Sequence, residues 1–221
     1  MTSVAFGLFT LALLIPSVVL HEVAHGYVSL RFGDPTARDA GRLSLNPLRH
    51  VDLFGTVLLP LLLWSSGAPV FGYAKPVPVN PGYYRDLRHG QFVTGLAGPA
   101  ANLVLAVAGG GVAWAAWLFG AGTSGTLAWL GLIGGAFTEV NLVLLFFNLL
   151  PIPPLDGSSV FPLFLSNRGL HTYYRLRQYG FPMLIALLWG VPAVFGIDLV
   201  GVYFRHTVDP LFNLLVPLYR R

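Results

Sequence analysis

Five consecutive residues near the end of the first apolar stretch carry the most legible chemistry in this 221-residue chain: His21, Glu22, Val23, Ala24 and His25. On a helix, side chains four apart lie one turn apart on the same face, so the two imidazoles can grip one cation, and this spacing suits Zn²⁺. Glu22 then stands beside the coordination position left for water. Zinc lowers the pKa of a bound water toward ~7, and a neighbouring carboxylate can take its proton and pass it to a leaving amine. With six histidines and only two glutamates in the chain, this composition produces the pattern by chance in roughly one sequence in a thousand. Two imidazoles and a carboxylate at the end of an apolar helix are also costly to keep without a function.

A catalytic zinc takes three protein ligands and keeps one place for water. The chain has no cysteine, so the third ligand is sought among Glu139, His50, Asp52 and Asp156. Asp156 lies in the stretch from Asn148 to Gly157, where Pro151, Pro153 and Pro154 forbid a helix. Unwound backbone survives at membrane depth only inside protein or beside water, and a carboxylate there is mobile and solvated enough to bind metal. His21 and His25 come roughly 25 to 32 Å along a helix starting near Val4, which puts them toward the side where Asp156 follows a later span. Glu139 is mid-span and reads better as a packing or pore acid. His50 and Asp52 form a second polar cluster, able either to approach the site or to sit on a surface turn. Asn102 and Asn148, near span ends, suit substrate or transition-state hydrogen bonding, or else helix-to-helix contacts.

The elements that must position these groups are membrane spans. Hydrophobic residues make up 55% of the chain, charged residues 10%, and the mean hydropathy is +0.68; a soluble domain carries about 25% charged residues. The net charge of +4 is spread over several loops without a basic run, so it reads as membrane orientation and not as a nucleic-acid surface. Apolar runs over about residues 4–30, 91–119 and 127–150 are long enough to cross a bilayer. A fourth covers about 181–204, where Gly190, Pro192, Gly196 and Asp198 leave its path open, and the tail from 207 to 221 is either interfacial or a short return pass. The loops at 31–52 and 157–180 are rich in arginine and read as cytoplasmic. Residues 53–64 are short for a span and contain Pro60, which suits a re-entrant hairpin. Two segments, 41–46 and 70–79, look like short strands; Pro76 and Pro78, two apart, place both missing N–H groups on one side, as an edge strand tolerates. The expected fold is therefore an all-α polytopic membrane protein of about four to six transmembrane helices, with short β-strand and re-entrant elements near the site. It forms one domain over 1–221, with a core of about 1–160 and C-terminal helices over 181–221.

The pairing of the His21–His25 motif with the Asn148…Asp156-Gly157 segment resembles the site-2 protease family of intramembrane zinc metalloproteases. Gly98, Pro99 and Asn102 look like that family's G-P-x-x-N element, and the segment from Phe71 to Asn80 adds support. The resemblance covers about residues 15 to 160 and looks closest to the minimal branch without PDZ or CBS domains. It implies that His21, His25 and Asp156 hold one Zn²⁺, that Glu22 is the catalytic carboxylate, and that the site lies near the cytoplasmic face of the cell membrane. The arginine distribution points independently to the same face.

The expected activity is hydrolysis of peptide bonds in or near transmembrane segments of membrane-protein substrates, with the substrate helix unwound onto an edge strand at 41–46 or 70–79. The rival reading is a membrane metal-ion transporter or a non-proteolytic metal-binding membrane protein, with the histidine pair as an ion site. A di-iron desaturase needs about eight clustered histidines, and six scattered ones do not supply them.

Overall fold

A computed structural model describes residues 3–58, 62, 65, 74–120 and 125–217. Three long apolar helices form its centre: α1 (Ser3–Arg31), α2 (Leu87–Leu118) and α3 (Thr126–Asn148). The 29 residues of α1 rise about 43 Å, more than the ~30 Å hydrocarbon thickness. Its last turns, with His21 and His25, thus lie toward one end of the span. Asp86 starts α2 by accepting the N–H groups of Arg88 and His89, both at 3.1 Å, which satisfies two of the donors that a helix leaves open at its beginning.

The helices α2 and α3 approach most closely where Gly109 faces Gly134. A Cβ on either one would come within 2.9 Å of the other's carbonyl oxygen. Small residues at such crossings let backbones touch, which matters in lipid because apolar side chains gain little by leaving one hydrocarbon environment for another. Below this crossing Ala106, Ala113, Leu142 and Leu145 pack with Val208, Phe212 and Val216 from the C-terminal part of the chain. Outward-facing Val104, Trp117, Trp129 and Leu132 are exposed, as helices bordered by lipid require.

Among the described residues three helices are long and apolar enough to cross a membrane, or four if α4 (Asn167–Arg177) and α5 (Gly180–Phe195), bent by 68°, form one broken span. Three falls below the expected four to six, and four is its low end. The apolar stretch 181–204 is not one helix. It stops at Gly196, in left-handed conformation with φ +67°, and restarts at α6 (Leu199–Leu215), where Asp198 accepts the Gly201 N–H at 2.8 Å. The helix then runs through the boundary expected near 204, so the tail packs on α3 as a continuation of α6.

No strand occurs among the described residues, and the two expected β elements are corrected accordingly. Residues 42–46 and 74–80 belong to no regular element and make no ladder with each other. Residues 70–73 fall outside the described residues, as do 59–61 and 63–64 of the expected hairpin; its first part, Leu53–Leu58, is a wide helical turn. The reason lies in where the N–H groups of 74–80 go. Pro76 and Pro78 have none. Lys75 donates to the His50 carbonyl at 2.8 Å, Val77 to the Glu22 carboxylate at 2.8 Å, and Asn80 to Asp34 at 2.6 Å. Arg42, buried, donates to the Lys75 and Pro76 carbonyls.

Asp34 anchors this segment to the end of α1. Burial by itself raises a carboxyl pKa. Here hydrogen bonds from the Thr36 hydroxyl and N–H, the Asn80 N–H and the Ser29 hydroxyl outweigh burial and hold Asp34 below its ordinary value. Asp34 is therefore an anion that fastens residue 80 beside the helix carrying the histidines.

Candidate metal centre

The α-helical spacing of His21 and His25 brings their Nε2 atoms to 3.0 Å from each other. From the other side, the proline-broken segment after α3 delivers Asp156, at the start of a tight turn over Asp156–Val160. Its Oδ2 lies 3.2 Å from His21 Nε2 and 3.3 Å from His25 Nε2. Both imidazoles are buried, and among the described residues these three form the group of side chains close enough to share a metal ion.

The tautomers follow from what lies behind the rings. His25 Nδ1 is 2.6 Å from the Thr94 carbonyl, and His21 Nδ1 is 2.6 Å from Asn102 Oδ1. Both partners accept, so both Nδ1 atoms carry the hydrogen, and Nε2 is the ring nitrogen turned inward, which in a neutral ring offers its lone pair. Oδ2 of Asp156 receives no hydrogen bond. The Asp156 carboxylate turns this oxygen toward both Nε2 atoms.

Two imidazole nitrogens and a carboxylate oxygen thus converge in a buried space, an arrangement in which one metal ion can take the place of protons. Their separations also fit one. Ligands 2.0–2.1 Å from a tetrahedral centre lie about 3.3 Å from one another, close to the three distances observed. The nitrogen, nitrogen and oxygen donor set is one that zinc accepts.

Gly98 on α2 makes this approach feasible. A Cβ there would collide with His21 Cε1 and His25 Nε2. Thr94, about one turn earlier on α2, offers its carbonyl to His25. Gly98→Val is therefore expected to weaken zinc binding about tenfold or more, as displaced ligands do. Zinc content after dialysis against a chelator measures this; a valine variant that keeps its metal like wild type would show that the helix approach is not set at Gly98.

Glu22 lies between the histidines in sequence and is half-buried, with Oε2 held by the Val77 N–H. Asn102 is fully buried behind His21, and its Nδ2 donates to Asn141 Oδ1 at 2.9 Å. Asn141 in turn donates to Ser17 Oγ and to the Phe137 carbonyl, both at 2.9 Å. Interhelical hydrogen bonds in membranes contribute only about 0.6 kcal/mol on average, little reason by itself for three fully buried polar side chains. Ser17 escapes a sequence reading, because one polar residue on an apolar helix looks like any helix contact, and Asn141 reads there only as an intramembrane polar residue that a transporter would also carry.

The remaining candidates stand apart from the metal group. Asn148 folds back on its own helix, donating to the Leu144 carbonyl at 3.0 Å. His50 is buried, and its Nε2 lies 2.8 Å from the Ser44 carbonyl, while Asp52 accepts the Gly55 N–H at 2.6 Å. Both serve the local turns between 42–46 and 74–80. Glu139 is half-buried on α3 and is not a member of the group.

No family model matches the chain, and no solved structure matches it. Curated proteins do. The chain is 36% identical over 179 residues to "Putative zinc metalloprotease YwhC" of Bacillus subtilis, an alignment covering 79% of this chain and 77% of that protein. It is 33% identical over 172 residues to "Putative zinc metalloprotease Rip2" of Mycolicibacterium smegmatis, covering 78% of this chain and 63% of the relative. With the Rip2 protein of Mycobacterium tuberculosis the identity is 29% over 200 residues, 86% of this chain and 73% of the other. Likeness of this extent to proteins so named, along a chain that folds into apolar helices around a metal-ready cluster, makes it a member of the site-2 protease family of zinc metalloproteases.

Proposed function

We propose that the chain is an intramembrane zinc metalloprotease that hydrolyses peptide bonds in or near transmembrane segments of membrane proteins, as in regulated intramembrane proteolysis. Its site faces the cytoplasmic side of the cell membrane. His21, His25 and Asp156 hold the zinc and Glu22 is the general base. The observation that carries this reading is the convergence of His21, His25 and Asp156 beside a carboxylate, Glu22, that is itself oriented by Val77.

Zinc bound there supplies Lewis acidity to the scissile carbonyl and a lowered pKa to the attacking water. Glu22, with Oε2 tied to the Val77 N–H, receives the water proton on its other oxygen as the water oxygen bonds to the carbonyl carbon. The same carboxyl then gives that proton to the amide nitrogen as the C–N bond breaks. The two imidazoles stay in place throughout, because their outer partners, Asn102 and the Thr94 carbonyl, hold the rings.

A substrate helix hides its carbonyls in internal hydrogen bonds and must unwind before attack. Of the two segments expected to receive it, 42–46 is the better suited. The N–H groups of Lys75, Val77 and Asn80 are already used, whereas the backbone groups of Leu43 and Leu45 make no hydrogen bond among the described residues. Leu43 and Leu45 also line an apolar groove of about 460 Å³ with Val23, Tyr27, Ala101 and Val104, which suits an apolar segment leaving lipid.

The test is cleavage in sealed proteoliposomes of a single-pass reporter whose transmembrane segment is weakened by glycine and proline near its cytoplasmic end. Cutting that stops with a chelator and returns with zinc is expected. A reporter rebuilt with leucine and alanine should be cut more slowly. Zinc crossing the vesicle wall with the reporter left intact would overturn the proposal in favour of transport.

A further inference from the structure

We propose that Asn102, Asn141 and Ser17 form a one-directional hydrogen-bond relay that sets the tautomer of His21 and so its ability to bind metal. This rests on the reading of His21 as a zinc ligand. A neutral imidazole has one nitrogen that donates and one that accepts, and only the accepting nitrogen can bind a cation. If Nδ1 of His21 faced a donor, its hydrogen would move to Nε2 and block the site.

Asn102 alone does not settle this, because an amide rotated by half a turn exchanges its oxygen for its NH₂. The choice is made two residues further back. Nδ2 of Asn141 donates to the Phe137 carbonyl, which can only accept, and to Ser17 Oγ, whose own hydrogen goes to the Leu13 carbonyl at 2.8 Å. Both hydrogens of that NH₂ are thereby placed, and Asn141 Oδ1 must face Asn102. Asn102 then presents Nδ2 to Asn141 and Oδ1 to His21 Nδ1. Two backbone carbonyls, on α3 and α1, terminate the relay and determine the direction of every bond in it. Ser17, Asn102 and Asn141 are each 0% exposed, so no water competes to reverse it. His25 needs no such device, since its Nδ1 meets the Thr94 backbone carbonyl directly.

Asn141 and Ser17 are accordingly positioning residues for a ligand that neither of them touches. The experiment measures zinc affinity of the purified full chain by competition with a chelator, independent of proteolysis. Asn102→Leu is expected to weaken zinc binding about 10- to 100-fold, as loss of an outer partner of a metal-bound histidine does. Asn141→Leu should weaken it in the same direction. The double variant should bind no more weakly than Asn102→Leu, because Asn141 acts through Asn102. Asn102→Asp, whose carboxyl accepts from His21 Nδ1 in either protonation state, should bind close to wild type, and it keeps the test open should a leucine variant not fold. Additive losses in the double variant, or an aspartate variant as weak as Asn102→Leu, would overturn the relay. A wild-type chain that binds no zinc would instead overturn the reading of His21 as a ligand.

Discussion

Glu22→Gln is expected to lower peptide-bond cleavage by about 10²- to 10⁴-fold, the usual contribution of a general base, while zinc stays bound at the wild-type level. The substitution keeps size and shape, and an amide oxygen can accept the Val77 N–H as Oε2 does now. What it removes is the capacity to take a proton from water. The neighbouring ligands keep their partners, because His21 is held by Asn102 and His25 by the Thr94 carbonyl. The measurement pairs cleavage of the proteoliposome reporter with metal content of the same preparation. Substantial turnover by a pure glutamine variant would remove Glu22 from the role of base. Loss of zinc together with activity would show that the carboxylate supports the metal group instead of the proton transfer.

Asp156→Ala is expected to weaken zinc binding by more than about 100-fold, beyond the range for losing a partner that only orients a ligand. Oδ2 is the one anionic donor of the three and sits 3.2 and 3.3 Å from the two Nε2 atoms; without it two neutral imidazoles remain for a doubly charged ion. The loss should appear in chelator competition and, as a consequence, in cleavage. An alanine variant with wild-type affinity would redirect the search to a carboxylate or imidazole outside the present group. His50 is poorly placed for that role, since its Nε2 is engaged with the Ser44 carbonyl.

How much of this was legible beforehand depended on distance along the chain. The His21–His25 pairing is local: helix periodicity alone puts the rings on one face, and α1 does so. The three long spans were legible because length and apolarity suffice to identify them, and their ends shifted by only a few residues. Asp156 could be singled out because three prolines exclude a helix there. By contrast, the strands expected at 41–46 and 70–79 were read from alternation. The N–H groups of the second segment found better partners in His50, Glu22 and Asp34, all remote in sequence. The C-terminal helix was misjudged for a similar reason. Local signals at Gly196 and Asp198 ended one helix and began the next, but the extent of α6 depends on Val208, Phe212 and Val216 packing against α2 and α3.

The sequence by itself determined the solvent of this protein, the kind of metal its side chains suit, and the helix that carries two of the ligands. Those properties come from composition and from spacings of a few residues. Only the tertiary structure decided that Asp156 meets that helix from 131 positions further along, that Val77 orients Glu22, and that Asn102 stands behind His21 with Asn141 and Ser17 behind it. The physical reason is that hydrogen-bond direction and donor convergence are set by three helices packed side by side. The identity of a buried asparagine says that it needs partners, but not which way its amide will face.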